Sequence, residues 1–516
     1  MVDTPTTAAG PTTDPSRTRP LGASVVESGT LVSTSPVTGD EVGRFPVADA
    51  AAVAAAVDRA REAGRWWAGL GFAERRRRLL RWRTRIAHRL TEVAELLHAE
   101  VGKPVAEGVV ETAGALASLD WAARHARRVL RPRRVRRSLV VPEDKAILEY
   151  RPYGVVGVIG PWNYPMITPM GTIAYALAAG NAVVYKPSEY CPAAGQWLVD
   201  SFAEVVGEQP VLQVVHGGGE VGEALCRSGV DKVSFTGSTA TARRVMAACA
   251  DTLTPVCIEA GGKDAMIVDA DADLDRAADA CAWGALTNAG QTCVGIERVY
   301  VVDSVYEAFL AKLVATAGRV QPGGGPDADI GPLTTPAQLE TVRRHIDDAL
   351  ARGARAVLGG AGAVRPPYVH PTILVDVPDD ALAMREETFG PVIVVVRVAD
   401  VEEALRRANA TRYGLGGTVF GRRRALALAR RLRVGMAAVN DAIGFAGIPS
   451  LPWGGIGASG LGRVRGADGL REFAQPMSIV VRQAPSPLPS RTFTRDERDV
   501  ARIAAVVRLL YGRGRR

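Results

Sequence analysis

Lysine, cysteine and histidine are all scarce in these 516 residues. The six cysteines, Cys191, Cys226, Cys249, Cys257, Cys281 and Cys293, are too few for a disulfide-built fold and point to a reducing compartment, the cytoplasm. They form no CxxC pair, and the six histidines are scattered singly from His88 to His370, so no metal site is expected. A secretory apolar region is absent too. Residues 1–28 are rich in Thr, Pro, Ala and Gly and read as a disordered leader. Only six of the 63 basic residues are lysines and the other 57 are arginines, so the net charge of +8 reflects arginine bias. No nucleic-acid-reading pattern accompanies that charge, and no nucleic-acid partner is expected. The dense run from Arg124 to Arg137 lacks interleaved aromatics and reads as a solvated helix end and linker. Pro152–Tyr185 carries no charge, yet Pro161, Pro165 and Pro169 with Gly154, Gly157 and Gly160 would break a membrane helix. It reads instead as buried strand, loop, helix and strand.

What is present is ordinary globular material, 47% apolar and 23% charged, long enough for two or three domains. Helical periodicity runs from Asp49 to Gly64, with Asp49 as cap, along an Arg-rich stretch from Phe72 to Glu100, and from Val109 to Leu130. Short apolar runs then alternate with helices: Val155–Ile159, Ala182–Tyr185, Val211–Val215, Lys232–Phe235 and Asp264–Val268. A second series follows Cys293: Arg298–Val302, Tyr368–Leu374, Val392–Val398, Gly417–Phe420 and Ala437–Asn440. Such alternation predicts two α/β units built on parallel sheets.

Three residues stand out chemically. Cys293 lies in GQTCVG, Glu259 in IEAGGK beside three small residues, and Asn163 in PWNYP just after the run Val155–Ile159. A loop at a strand's carboxyl end is where open α/β sheets bind ligands. A nucleophile, a base and an amide donor are the parts that acyl chemistry requires.

The chain resembles the aldehyde dehydrogenases over residues 30–483. Their elements occur in family order: PWNYP at 161–165, KPSE at 186–189, FTGS at 235–238, EAGGK at 259–263, GQTC at 290–293, EETFGP at 386–391 and PWGG through SGLGR at 452–463. The resemblance implies an α/β fold of two Rossmann-like parallel-sheet domains plus a small β oligomerisation element. It divides the chain into an NAD-binding domain (29–131 and 152–259), a catalytic domain (260–456) and bridging segments (132–151 and 457–483), with a tail over 484–516. It implies that Cys293 attacks the aldehyde, that Asn163 and the Cys293 N–H hold the oxyanion, and that Glu259 activates water. Lys263 would shape the site electrostatically. The cofactor would be NAD, with NADP as the second choice. Its binding residues would be Ile159, Pro161, Trp162, Lys186, Ser188, Glu189, Gly217, Phe235, Gly237, Ser238, Glu387 and Phe389. Glu189 favours NAD because a carboxylate repels a 2′-phosphate. Tyr164, Met166, Thr292, Val294 and Trp453 would line the aldehyde pocket. Three departures from the family pattern are Ala242, where glycine is usual, Ala260, where leucine is common, and Gly457, where lysine often stands.

Neither 442–455 nor 166–175 contains Arg or Lys, so an apolar aliphatic or aromatic aldehyde is expected over a semialdehyde such as succinate semialdehyde. Glu259 argues against a coenzyme-A-acylating relative, and the retained trio Cys293, Glu259 and Asn163 argues against a non-catalytic scaffold. The family resemblance implies a homodimer or homotetramer through strands near Leu139–Arg151 and Met477–Arg482. Residues 499–516 form a basic amphipathic pattern suited to anionic membrane, to this enzyme's own surface or to a partner subunit.

Overall fold

A computed structural model describes residues 24–136, 141, 143–485, 488 and 490–512. Two parallel sheets dominate it. The first runs Gly460–Leu461, Val256–Ala260, Lys232–Gly237, Val155–Ile159, Ala182–Lys186 and Leu212–Val214, parallel except for the edge strand Gly460–Leu461. The second has seven strands, with Ile296–Val302 and Asp264–Val268 near its centre and Arg355–Leu358 as an antiparallel edge. A three-stranded antiparallel sheet joins Ala474–Arg482, Asp144–Pro152 and Arg133–Val135. The strand–helix alternation and the small β element agree with the expected α/β class.

The uncharged run folds as expected into strand Val155–Ile159, helix Ile167–Ala179 and strand Ala182–Lys186. Gly180, at φ +109°, ends that helix in a conformation only glycine adopts freely. Both strands are wholly buried, which their near-continuous Val and Ile content permits in a parallel sheet covered on both faces. Among the described residues no helix is long and apolar enough to cross a membrane.

Several sequence expectations need correction. The leader is shorter than residues 1–28, because Val25–Glu27 already forms a strand paired with Thr30–Val32; residues 1–23 lie outside the described residues. The Phe72–Glu100 stretch is two helices, Gly71–His88 and Leu90–Val101, broken at Arg89. Arg89 binds Glu92 and Glu204 and lies 4.9 Å over the Trp197 ring, contacts that a continuous apolar stripe does not reveal. The basic run is not all linker, since Arg133–Val135 pairs with Ala146–Leu148. Of the expected dimer strand, Leu139 and Val140 lie outside the described residues, and the strand observed is Asp144–Pro152. The C-terminal helix spans Glu497–Tyr511, with a capping box at Asp496 and Asp499; Arg513, Arg515 and Arg516 lie outside the described residues.

Candidate active site

Four strands of the first sheet end, at their carboxyl edges, on one cavity of about 950 Å³. Ile159, Lys186, Gly237 and Glu259 mark those four ends, the edge at which open α/β sheets bind ligands. The cavity runs from Glu220 and Val245 at one end to Asn163, Glu259 and Cys293 at the other. It thus brings together the three residues singled out for chemistry and a long groove beside them.

The groove contains eleven of the twelve expected cofactor residues: Ile159, Pro161, Trp162, Lys186, Ser188, Glu189, Phe235, Gly237, Ser238, Glu387 and Phe389. Gly217 is the exception. It turns the chain at φ +145°, where a Cβ would meet Val221 at 2.2 Å, and its neighbours Gly218 and Gly219 line the wall instead. Ser238 caps the helix Thr239–Ala250 by accepting from the Thr241 N–H at 3.2 Å. The other first-turn N–H groups of that helix present partial positive charge, suited to a phosphate. Lys186 Nζ stands 3.8 Å from Glu189, and burial lowers the lysine's pKa.

Glu387 closes the groove near the cysteine. Its carboxylate accepts from the Gly262 N–H at 3.0 Å, and burial pushes its pKa up to about 8. A Cβ at Gly261 would lie 2.0 Å from that carboxylate, so glycine is what allows Glu387 this close. Lys263 does not line the cavity. It is buried against Glu297 and donates to Thr388 Oγ1 at 3.0 Å. Glu297 in turn accepts from the Thr388 and Phe389 N–H groups. The pair fixes the loop that carries Glu387 and Phe389, and Phe389 meets Trp162 edge-on at 5.6 Å.

Cys293 Sγ donates to Glu259 Oε1 at 3.3 Å. Burial, and then the charge of Glu259, push the thiol well above its ordinary pKa. Burial also raises Glu259, opposed by hydrogen bonding from Trp453, Cys293 and Thr236 and by the charge of Arg465. Both shifts disfavour the charged forms of the pair. One Nδ2 hydrogen of Asn163 goes to Gln291 O at 3.0 Å, which leaves the second for a ligand in the cavity.

The cysteine loop is strained. Asn288, Ala289 and Gly290 all have φ between 54° and 72°, and a Cβ at Gly290 would lie 2.2 Å from the Gly390 backbone. Three charged residues absent from the sequence expectations hold it. Glu107 accepts from Thr287 Oγ1 and the Asn288 N–H at 2.8 and 2.9 Å. Lys103 pairs with Glu111 and donates to Asn163 O at 3.0 Å. Glu111 accepts from the Met166 N–H at 2.7 Å. The four-residue spacing of Glu107 and Glu111 was the available signal, since it puts both on one face of the helix Val105–Leu130, with Lys103 just ahead of it.

None of the five expected pocket residues lines the large cavity. Tyr164 OH and Thr292 Oγ1 are bonded at 2.9 Å, Met166 and Val294 are buried, and Trp453 packs 5.8 Å from Phe445. Thr292 and Val294 flank Cys293 in the chain, and Tyr164 is held to Thr292. The Arg465 guanidinium lies 4.8 Å over the Trp453 ring. Arg465 falls outside residues 442–455 and 166–175, so the lack of Arg and Lys in those segments did not reveal it.

The family model of the aldehyde dehydrogenases matches residues 25–479. The chain belongs to the aldehyde dehydrogenase family. Within this family of oxidoreductases it is 37% identical to a 4,4′-diapolycopene aldehyde oxidase of Methylomonas sp, over 94% of this chain and 93% of that protein. It is 36% identical to a putative succinate-semialdehyde dehydrogenase [NADP(+)] of Mycolicibacterium smegmatis, over 86% of this chain and 87% of that one. The fold matches the crystal structure of PnpE from Pseudomonas sp. WBC-3 with a TM-score of 0.85 at 33% identity, covering 90% of this chain and 96% of that one. PnpE has also been solved in complex with nicotinamide adenine dinucleotide at the same similarity.

Replacing Lys103 with Met would strand Glu111 in the interior. Breaking a buried pair costs about 3–5 kcal/mol. The Lys103→Met dehydrogenase is expected to unfold at correspondingly lower urea, as read by tryptophan fluorescence.

Proposed function

We propose that this aldehyde dehydrogenase oxidises an aldehyde to its carboxylic acid through a covalent adduct on Cys293, with NAD as cofactor and NADP as the second choice. The observation that carries the reading is the 3.3 Å hydrogen bond from Cys293 to Glu259 at the inner end of a groove shaped for a dinucleotide.

The groove fits such a cofactor on its own terms. A helix N-terminus suits the pyrophosphate, Glu189 suits a ribose 2′-hydroxyl, and Gly261 makes room for Glu387 beside a second ribose. Relatives support it as well, one named for NADP(+) and one solved with the dinucleotide. The cofactor supplies a hydride acceptor. Glu259 takes the Cys293 proton, and the thiolate adds to the aldehyde carbon to give a thiohemiacetal. Asn163 Nδ2 and the Cys293 N–H stabilise the oxyanion, a type of contact worth ~10²–10³ in rate. Collapse of the oxyanion expels hydride and leaves a thioester; Glu259, once it has released the cysteine's proton to solvent, would deprotonate the water that attacks the thioester, with the Cys293 thiolate as leaving group.

The apolar aldehyde expected from the sequence finds support in the apolar residues Met166, Val294 and Trp453 beside the cysteine and in the polyene-aldehyde relative. Arg465 favours a second reading, an aldehyde that also carries an acid group. A homodimer or homotetramer in the cytoplasm completes the proposal. Met477, Val480 and Val481 are exposed on the strand Ala474–Arg482, as an interface would require. Val500, Val507 and Tyr511 are likewise exposed on the C-terminal helix, consistent with contact to a membrane or to protein.

Mixing the protein with NAD and a panel of aldehydes and following NADH absorbance tests the reaction. Cys293→Ala is expected to abolish turnover, and activity surviving in it refutes the nucleophile. Glu259 must be ionised to act as base, and its pKa is raised, so kcat/KM is expected to rise with pH through a value above the ordinary carboxylate range. Glu259→Gln is expected to remove that rise together with most activity in steady-state pH profiles. Glu189→Gln removes the charge that would repel a 2′-phosphate and is expected to lower the NAD-over-NADP preference in kcat/KM about tenfold.

A further inference from the structure

Arg465 is buried, with 4% of its surface exposed, and no carboxylate lies within ion-pair distance of it among the described residues. Among the described residues its side chain makes one hydrogen bond, from Nη1 to the Ala446 backbone oxygen at 2.8 Å. A guanidinium carries five N–H donors, so most of these find no acceptor among the described residues. Leaving a charge in this state is costly unless something else satisfies it.

Its surroundings indicate what that is. The guanidinium stacks on the Trp453 ring, 4.8 Å from its centroid. On its other side is Gly171, within the buried helix that follows the Asn163 loop. A Cβ on that residue would come within 3.2 Å of Arg465 Nε, so the missing side chain leaves the guanidinium its space. Trp453, Arg465 and Gly171 do not line the dinucleotide groove, so the cation lies outside it. The charges of Glu259 and Cys293 both reach it, and Glu259 is already hydrogen bonded to the thiol. Arg465 itself is held at φ +60°, a conformation that costs a non-glycine residue free energy and aims the side chain inward.

We propose that Arg465 is the anion subsite of the aldehyde pocket and binds the terminal carboxylate of a short oxo-acid whose aldehyde carbon is presented to Cys293. The inference rests on the proposed reaction and narrows its substrate class. The Trp453 face and the Gly171 gap hold the guanidinium plane, and a carboxylate matches its fork of donors in a way an ammonium would not reproduce. An uncharged aldehyde leaves the cation as unpaired in the complex as it is in the free protein.

The test compares 4-oxobutanoate with butanal, using NAD and following NADH. Wild type is expected to favour 4-oxobutanoate by about 10- to 100-fold in kcat/KM, the worth of a hydrogen bond to a charged group. Arg465→Met is expected to lose most of that preference, its kcat/KM falling about tenfold further on 4-oxobutanoate than on butanal and chiefly through KM. Arg465→Lys is expected to restore part of the preference. Equal kcat/KM for the two aldehydes in wild type overturns the subsite and leaves the reaction standing. A parallel loss on both substrates in Arg465→Met and Arg465→Lys also overturns it, by making Arg465 a support for Trp453. Should Arg465→Met fail to fold, the uncharged 4-oxobutanamide replaces it as the comparison in wild type, and equal turnover with 4-oxobutanoate overturns the proposal. Oxidation of neither aldehyde, nor of any other in the panel, sinks the reaction itself.

Discussion

Two buried lysine–carboxylate pairs hold the catalytic region in shape. Lys103–Glu111 ties the helix Val105–Leu130 to the Asn163 loop, and Lys263–Glu297 ties the second sheet to the loop bearing Glu387. Between them lies a cysteine surrounded by acids: Glu107, Glu259, Glu297 and Glu387 are all close enough to bind its loop, its sulfur or the adjoining groove. Burial raises three of these, Glu107, Glu259 and Glu387. Without the two ammonium groups this concentration of carboxylates would repel itself apart or take up protons.

The same arrangement explains why the thiol is quiet at rest. A thiolate at Cys293 would face Glu259 across 3.3 Å with little water to screen either charge. In the proposed reaction, transfer of the proton to Glu259 removes that repulsion as the thiolate forms. Asn163 stands beside this exchange already anchored to Gln291, so its remaining donor needs no reorganisation.

Much of this was legible in the chain. Val155–Ile159 and Asp264–Val268 announce themselves as buried strands because their apolar runs are short and bounded by breakers. Cys293, Glu259 and Asn163 stand in recognisable local contexts. What escaped reading was long-range and polar. Lys263 and Glu297 are partners across 34 residues, and no local pattern announces a pair formed between neighbouring strands. Glu107 and Glu111 look like an ordinary solvated helix face until that face is seen to pack inward, with Lys103 standing just ahead of the helix that begins at Val105. Arg465 resembles any other arginine in an arginine-rich chain, and only its burial sets it apart. The break at Arg89 depends on Glu204, more than a hundred residues away.

The scarcity of lysine acquires a chemical meaning in this setting. Of the six, Lys103, Lys186, Lys232 and Lys263 are buried, and only Lys145 and Lys312 reach toward solvent. Aldehydes condense with amines to form Schiff bases and react far less readily with guanidinium groups, which stay protonated. A protein whose exterior cations are nearly all arginine therefore offers aldehydes few places to attach, and its basic surface stays largely inert toward them.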